Sequence, residues 1–509
     1  MRDLIIDSVD NLKSCLELRE LILGKIFSKN LTESDIIEIV DTIDDLSMEQ
    51  IQKLGNNFRR FPLGCDLLET VVGPCSSSLS LNSIINNSIL TDFIGFPIHI
   101  CAYAIGDASE NEGISPLEGF KKIVESVDVP IDLDHFGKYG PMRFPKEITH
   151  CYGECYNLGP PYKGCPKNRI HKRLIDKEKE YSHEFEEWIK LSSTLCINVV
   201  EEQGGEEHAA SIDEMRTVAE YSKKYGKGLE GIFHIGDGYD DLITGLKACI
   251  DLDVDVFVIE GGPFNRGKDR LKNFAKAITA GRILVKGGVV GTNGAYEDEC
   301  RVGIRSGLNV IITGYSGNHH GYMCGYSPKT AKRGNFNLPK IISIMREEIK
   351  RNNLGICISD KNLIKSVAKG CLFLETPKGD LIYPNKIGNF PIGDAHWVSI
   401  KNSKLKEKTV GITLNNLDSN GKIGLLGGRY IGWGIVKHLS PDEVYVSDRD
   451  KWVEYATCHI LEKEGYNVYP SNGDDKKTIE KSDKTYITSF IPEIVIRLKN
   501  KYPKAEILI

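Results

Sequence analysis

The sequence predicts an α/β protein: a TIM-barrel-like parallel (β/α) domain with N-terminal helices and a short C-terminal Rossmann-like domain. Three observations predict it. Helical periodicity fills residues 1–90, and from 91 to 330 short apolar runs alternate with helical stretches. Residues 421–509 then read as strand, glycine turn, helix, strand and an acidic pair. Between the last two, residues 331–420 are less periodic and read as a connector with some β structure.

The N-terminal segment includes "SDIIEIVDTIDDLSMEQIQKLGNNF", with apolar residues three and four apart and Ser34 or Ser47 placed to cap helices. It reads as a helical cap or dimerisation segment. The middle runs are "FPIHICAY", "VPIDLDHFG", "TLCINVVEE", "LEGIFHIGDG", "VDVFVIEGG", "GRILVKGG" and "LNVIITGYSG". They are rich in Val and Ile and continuous rather than alternating, as strands buried on both faces are, so the sheet should be parallel. Helices such as "SIDEMRTVAEYSKKYG" separate them. Seven such units in about 235 residues suit a (β/α)8 barrel with one irregular unit, and an open doubly wound sheet is the alternative. In the connector, "LPKIISIMREEIKRNN" reads as a helix before strand-like pieces.

In the C-terminal segment, the strand "KIGLL" runs into Gly427, Gly428, Gly432 and Gly434. Such a turn lets the backbone approach a ligand and aims a helix N-terminus at it. About 20 residues on, Asp448 ends "VYVSD", where a carboxylate can bind the ribose hydroxyls of NAD or S-adenosylmethionine. The letters depart from strict G-x-G-x-x-G, so a purely structural turn is the alternative. The segment is also too short for a whole methyltransferase sheet. Another domain or subunit would have to complete a site there, and the short sheet invites a homo-oligomer.

Across 509 residues, 40% are apolar and 27% charged, the composition of an ordinary globular protein. A net charge of -6 argues against nucleic acid or an anionic membrane as partner. No run of about 18 apolar residues is present, and the charged, amphipathic start is no signal peptide. The 14 cysteines lie mostly inside apolar runs, as reduced thiols of a cytoplasmic protein do.

Barrel active sites gather at the C-terminal ends of the strands. Those ends carry His99 and Cys101, Asp134 and His135, Glu201 and Glu202, His234 and Asp237, Glu260, Lys286, then His319 and His320. Of these, Glu202, His234, Asp237, Lys286 and His135 are the candidate catalytic set, although rim salt bridges explain any one of them equally well. Carboxylates, imidazoles and a lysine suit metal binding and proton transfer alike. The loop "HCYGECYNLGPPYKGCPKNRIH" falls between the second and third runs, over the same mouth. Its His150, Cys151, Cys155 and Cys165 are candidate ligands for iron or zinc. The C-x3-C-x9-C spacing matches neither a common zinc site nor a radical-SAM cluster, which would want a cysteine where Leu158 stands.

The "HCYGECYNLGPPYKGCP" loop, the barrel-like middle and the truncated "GLLGGRYIGWG…VSDRD" unit together resemble the HcgG (HmdC) family, also labelled fibrillarin-like archaeal proteins. The resemblance spans the whole chain. It implies a role in making the iron-guanylylpyridinol (FeGP) cofactor of the methanogen Fe-hydrogenase, with a guanylylpyridinol-type small molecule, iron and other maturation proteins as partners. Only the glycine turn and Asp448 carry over to fibrillarin-type S-adenosylmethionine chemistry. A methyltransferase and a non-catalytic carrier are the competing functions.

Overall fold

The computed structural model describes residues 1–59, 68–73, 80–94, 98–127, 131–143, 174–192, 194–198, 212–234, 239–260, 268–285, 289–293, 296–308 and 310–314. It also describes short pieces between 343 and 413, then residues 421–427, 432, 435–436, 439–448, 451–488 and 492–507.

Four helices open the chain: α1 (Arg2–Asp7), α2 (Leu12–Phe27), α3 (Glu33–Asp44) and α4 (Met48–Arg59). Thr32, not Ser34, caps α3. Its hydroxyl accepts from Asp35 N at 3.2 Å while the Asp35 carboxylate accepts from Thr32 N at 2.9 Å. Ser47 starts α4 in the same reciprocal way with Gln50. These helices form an outer layer against helices that flank the central sheet.

That sheet holds β1 (Leu68–Gly73), β2 (Ile98–Cys101), β3 (Ile131–Asp134), β4 (Thr194–Asn198), β5 (Gly228–His234), β6 (Val256–Glu260), β7 (Val289–Asn293) and β8 (Val310–Gly314). Each strand pairs in parallel with the next, and β8 pairs with β1 from Glu69↔Val310 to Gly73↔Gly314. The described strands therefore close into a ring, and their continuous apolar runs suit a parallel sheet covered on both faces. The other edge of β1 meets β2 through Val72↔Ile98 and, at its start, Cys357–Ile358.

Two details differ from the sequence reading. β1 lies in the stretch read as helical, upstream of residue 91. "GRIL" is not a strand but the last turn of a helix, α12 (Arg270–Leu284), and the strand is the "VVGTN" that follows. A short apolar run fits a buried helix turn as well as a strand, and only its neighbours decide. Here the N-terminal helices cover α12 (Arg270–Leu284) from outside, so every residue from Phe274 to Leu284 is buried. Arg19 of α2 seals the junction, donating to Ile283 O at 2.6 Å and Val285 O at 3.0 Å. The remaining helices of the ring are α5 (Leu81–Ile94), α6 (Ala102–Asn111), α7 (Pro116–Ser126), α8 (Ile175–Glu180), α9 (Phe185–Leu191), α10 (Ile212–Lys224) and α11 (Tyr239–Asp251), with α13 (Glu297–Arg305) after β7. Trp188 of α9 stacks on Phe120 of α7 with centroids 4.5 Å apart, tying two of them together.

Between the ring and the C-terminal unit, short strand pairs occur at Leu374–Glu375 with Leu381–Ile382 and at Lys386–Ile387 with Phe390–Pro391. The C-terminal sheet is all parallel. It comprises β9 (Lys422–Leu426), β10 (Glu443–Ser447), β11 (Val468–Pro470), β12 (Lys484–Ile487) and β13 (Glu506–Ile507), in the order β11-β10-β9-β12-β13. Strand order reverses between β9 and β12, where sheets of this kind form a ligand crevice. Helices α14 (Lys451–Lys463), α15 (Asp475–Lys481) and α16 (Pro492–Lys501) complete the unit. Glu20 of α2 accepts from Lys463 and lies 3.3 Å from His459, joining this unit to the N-terminal layer. Among the described residues, no helix is long and apolar enough to cross a membrane. Cys15, Cys249, Cys300 and Cys458 are buried thiols, and burial pushes that of Cys15 up to about 12.

Candidate functional site in the parallel ring

Side chains alternate along a strand, so His99 on β2 and Asp132 and Asp134 on β3 share a face opposite to Ile98, Ile100, Ile131 and Leu133. His99 and Asp132 are register partners. Glu230 on β5 reaches the same cluster although β4 stands between β3 and β5, so all these side chains point into the ring. Ligand atoms of His99, Asp132 and Glu230 lie within 4.8 Å of one another.

The contacts form a chain from the interior towards the strand ends. Glu230 lies against Asp132, and Asp132 Oδ2 holds His99 Nδ1 in a very short contact. His99 Nε2 is 3.7 Å from Asp134 Oδ2, which in turn is 2.8 Å from His135 Nδ1. The first four residues are sealed, at 0–2% exposure, and the His135 side chain is 19% exposed. His135 adopts φ +54°, a left-handed conformation uncommon for a non-glycine residue, and its backbone N–H donates to Asp134 Oδ1 at 2.7 Å.

Burial fights charge throughout this chain. At Glu230, burial and then the charge of Asp132 both push the carboxyl well above the usual range, favouring its neutral form. Burial opposes ionisation of His99, but the carboxylates of Asp132 and Asp134 win and hold its pKa well above the ordinary histidine value. For Asp134 burial likewise loses, because His135 and His99 hold it well below the carboxylate range. The arrangement can store protons, or it can exchange them for a cation.

Just beyond, the strands Phe136–Gly137 and Gly140–Pro141 form a hairpin, closed by Met142 N donating to His135 O at 2.9 Å. Arg143 follows. Its buried guanidinium donates to Asp107 at 2.6 Å and to Glu110 at 2.8 Å. Its backbone N–H donates to Glu178, and its carbonyl accepts from Leu174 N at 2.8 Å. Residues 143 and 174, which bracket the cysteine loop, are thus pinned together beside the end of β3.

His135 is therefore joined to His99 and Asp134, while His234 is the last residue of β5, paired with Glu260. His150, Cys151, Cys155, Cys165, Glu202, Asp237, Lys286 and Gly428 lie outside the described residues. Sequence reasoning missed Asp132 and Glu230. The signal was available: each is an acidic residue inside an apolar strand, in "IDLD" and "LEGIFH", an even number of residues before the strand-end Asp134 and His234.

In the C-terminal unit, Gly427 and Asp448 follow the register pair Leu426↔Ser447 at the ends of β9 and β10. Gly427 has φ +111° and donates its N–H to Ser447 O at 2.8 Å. Gly432 is buried against Leu425, where a Cβ would come within 3.0 Å of a methyl group. Glu454 accepts N–H bonds from Asp448, Asn472 and Gly473, fixing the loops after β10 and β11. Gly427 and Asp448 thus stand at the ends of neighbouring strands.

A family model described as "FeGP cofactor biosynthesis protein, fibrillarin family" matches residues 1–508. An uncharacterised protein of Methanocaldococcus jannaschii is 65% identical over 512 residues, covering 100% of both chains. One from Methanothermobacter thermautotrophicus is 44% identical over 513 residues, covering 99% of both. Among solved structures, the FeFe-hydrogenase maturase HydG from Carboxydothermus hydrogenoformans overlaps 69% of this chain and 84% of its own, with 12% identity and a TM-score of 0.37. A likeness that slight has no bearing on chemistry. Matched from end to end by the family model, the chain belongs to the fibrillarin-named family of FeGP cofactor biosynthesis proteins.

Proposed function

We propose that this protein acts in FeGP cofactor biosynthesis on a guanylylpyridinol intermediate, or on the iron it receives, at the C-terminal mouth of the parallel ring. We read that ring as a (β/α)8 barrel. One observation carries the proposal: the connected chain Glu230–Asp132–His99–Asp134–His135 rises from the interior of the ring to a half-buried imidazole at the strand ends. Asp134 fixes Nδ1 of His135 and makes Nε2 the atom that gives or takes a proton. Around it, Glu202, His234, Asp237 and Lys286 orient the pyridinol and its substituents.

His150, Cys151, Cys155 and Cys165 supply thiolate and imidazole ligands that receive the iron as cargo. Their tether supports this role. Cys151 is 8 residues from Arg143, which sits just after the hairpin that follows β3, so a fully extended chain carries it at most about 28 Å from there. Gly427, Gly428, Gly432 and Asp448 take a nucleotide-like group, either the guanylyl moiety or S-adenosylmethionine. The adjacency of Gly427 and Asp448 favours the second reading, a methyl transfer, only if S-adenosylmethionine binds.

The test is calorimetric titration of the full chain with guanylylpyridinol under anaerobic conditions, beside His135→Ala. Binding weakened at least tenfold by the substitution is expected. Undiminished binding in the variant, or active hydrogenase in cells lacking the gene, would sink the proposal.

A further inference from the structure

We infer that the interior of the ring holds a divalent cation on His99, Asp132 and Glu230, at a site separate from the cysteine loop. Donor atoms of the three residues lie within 4.8 Å of one another. An ion about 2.0–2.2 Å from each donor needs only sub-ångström movement to close that spacing. Asp132 Oδ1 and Glu230 Oε2 are both sealed from solvent and receive no hydrogen bond from a described donor. Two carboxyl groups in such a place must share a proton or a cation.

His99 is also dressed for ligation. One ring nitrogen contacts Asp132 and the other lies 3.7 Å from Asp134. Turned to the ion through Nδ1, the ring leaves Nε2 facing Asp134 at 3.7 Å, close enough that a small shift would give the carboxylate–histidine–metal arrangement that fixes orientation. One imidazole and two carboxylates select a borderline first-row ion such as Fe²⁺, Mn²⁺ or Zn²⁺, and they disfavour thiophilic ions and iron–sulfur clusters. An ion there would lie below Asp134 and His135, sealed from solvent by the side chains that hold it. The site shares Glu230, Asp132 and His99 with the chain on which the proposed function rests, but its test reads metal rather than cofactor production, so the two can fail separately.

The experiment is anaerobic equilibrium dialysis of the full chain against Mn²⁺, Fe²⁺ and Zn²⁺ separately, followed by elemental analysis, with Co²⁺ absorption as a ligand probe. The proteins compared are wild type, the triple variant Cys151→Ser/Cys155→Ser/Cys165→Ser, Glu230→Gln and Asp132→Asn. One equivalent retained in the triple variant, and bound at least tenfold more weakly by Glu230→Gln and Asp132→Asn, is the expected result. Should those two variants fail to fold, Co²⁺ in the triple variant decides: a nitrogen–oxygen ligand field supports the site. Absence of binding, loss of all metal with the cysteines, or full retention in both acid variants overturns it.

Discussion

Asp134 holds His135 twice, by the ring at 2.8 Å and by the backbone N–H at 2.7 Å, and keeps it in a left-handed conformation. A residue with a Cβ is destabilised there by about 1–2 kcal/mol, which glycine avoids. His135→Gly and His135→Ala both lose the ring, so urea denaturation should find the glycine variant more stable by about 1 kcal/mol. Equal midpoints would show that the strain is relieved elsewhere.

The buried acids predict opposite limbs of a stability–pH curve. With its pKa raised, Glu230 binds a proton in the folded state that the unfolded chain has already released. Stability therefore falls as pH rises from the ordinary glutamate value of 4.5 towards the raised folded value. Asp134, lowered, contributes stability above 3.8 that is lost as pH falls through its folded value. In metal-free protein, Glu230→Gln should flatten the descending limb and leave the acid limb in place. Melting temperatures from pH 3 to 9, on the order of one reading per unit, would show it.

Arg143 neutralises buried Asp107 and half-buried Glu110, and burial raises the Asp107 carboxyl despite that pairing. Arg143→Met removes the partner and leaves the acids behind, at a cost of about 3–5 kcal/mol. Arg143→Met combined with Asp107→Leu should recover part of that loss in chemical denaturation.

A Cβ added at Gly55 of α4 would sit 1.8 Å from the Ser306 carbonyl oxygen, a backbone atom that cannot swing aside. Gly55→Ala should push α4 off α12 and α13 and destabilise by about 1–3 kcal/mol or more. A midpoint unchanged in urea would mean that the N-terminal layer is not held this closely.

In the C-terminal unit, Glu454→Ala removes one carboxylate from three backbone N–H groups. A loss on the order of 3 kcal/mol is expected, since bonds to a charged acceptor are among the stronger ones. If Gly427 and Asp448 bind a nucleotide, the same change weakens that binding by loosening the loop at Asp448, which calorimetry would read.

The ring strands were legible because strands buried on both faces advertise themselves as unbroken Val/Ile runs. That same property hid the site. With both faces apolar, Asp132 and Glu230 read as interruptions, and attention went to the strand ends one and two layers above them. Only the pairing across β4 shows that they meet. "GRIL" misled for a related reason: helix α12 is covered on its outer side by residues more than 200 positions earlier, which no local window contains. That Gly427 and Asp448 end neighbouring strands was legible, since strand, turn and acid are close in sequence.

That distant covering also bears on how the chain is made. Thr279 of α12 donates to the carbonyl of Ile51, 228 residues upstream. A ribosome adding 5–20 residues per second takes roughly 10–45 s to cross that interval. Throughout it, the faces of α3 and α4 that pack on α12 lack their partner. The first segment to emerge is thus among the last to find its place, and nascent chains stalled before α12 should be strong chaperone clients.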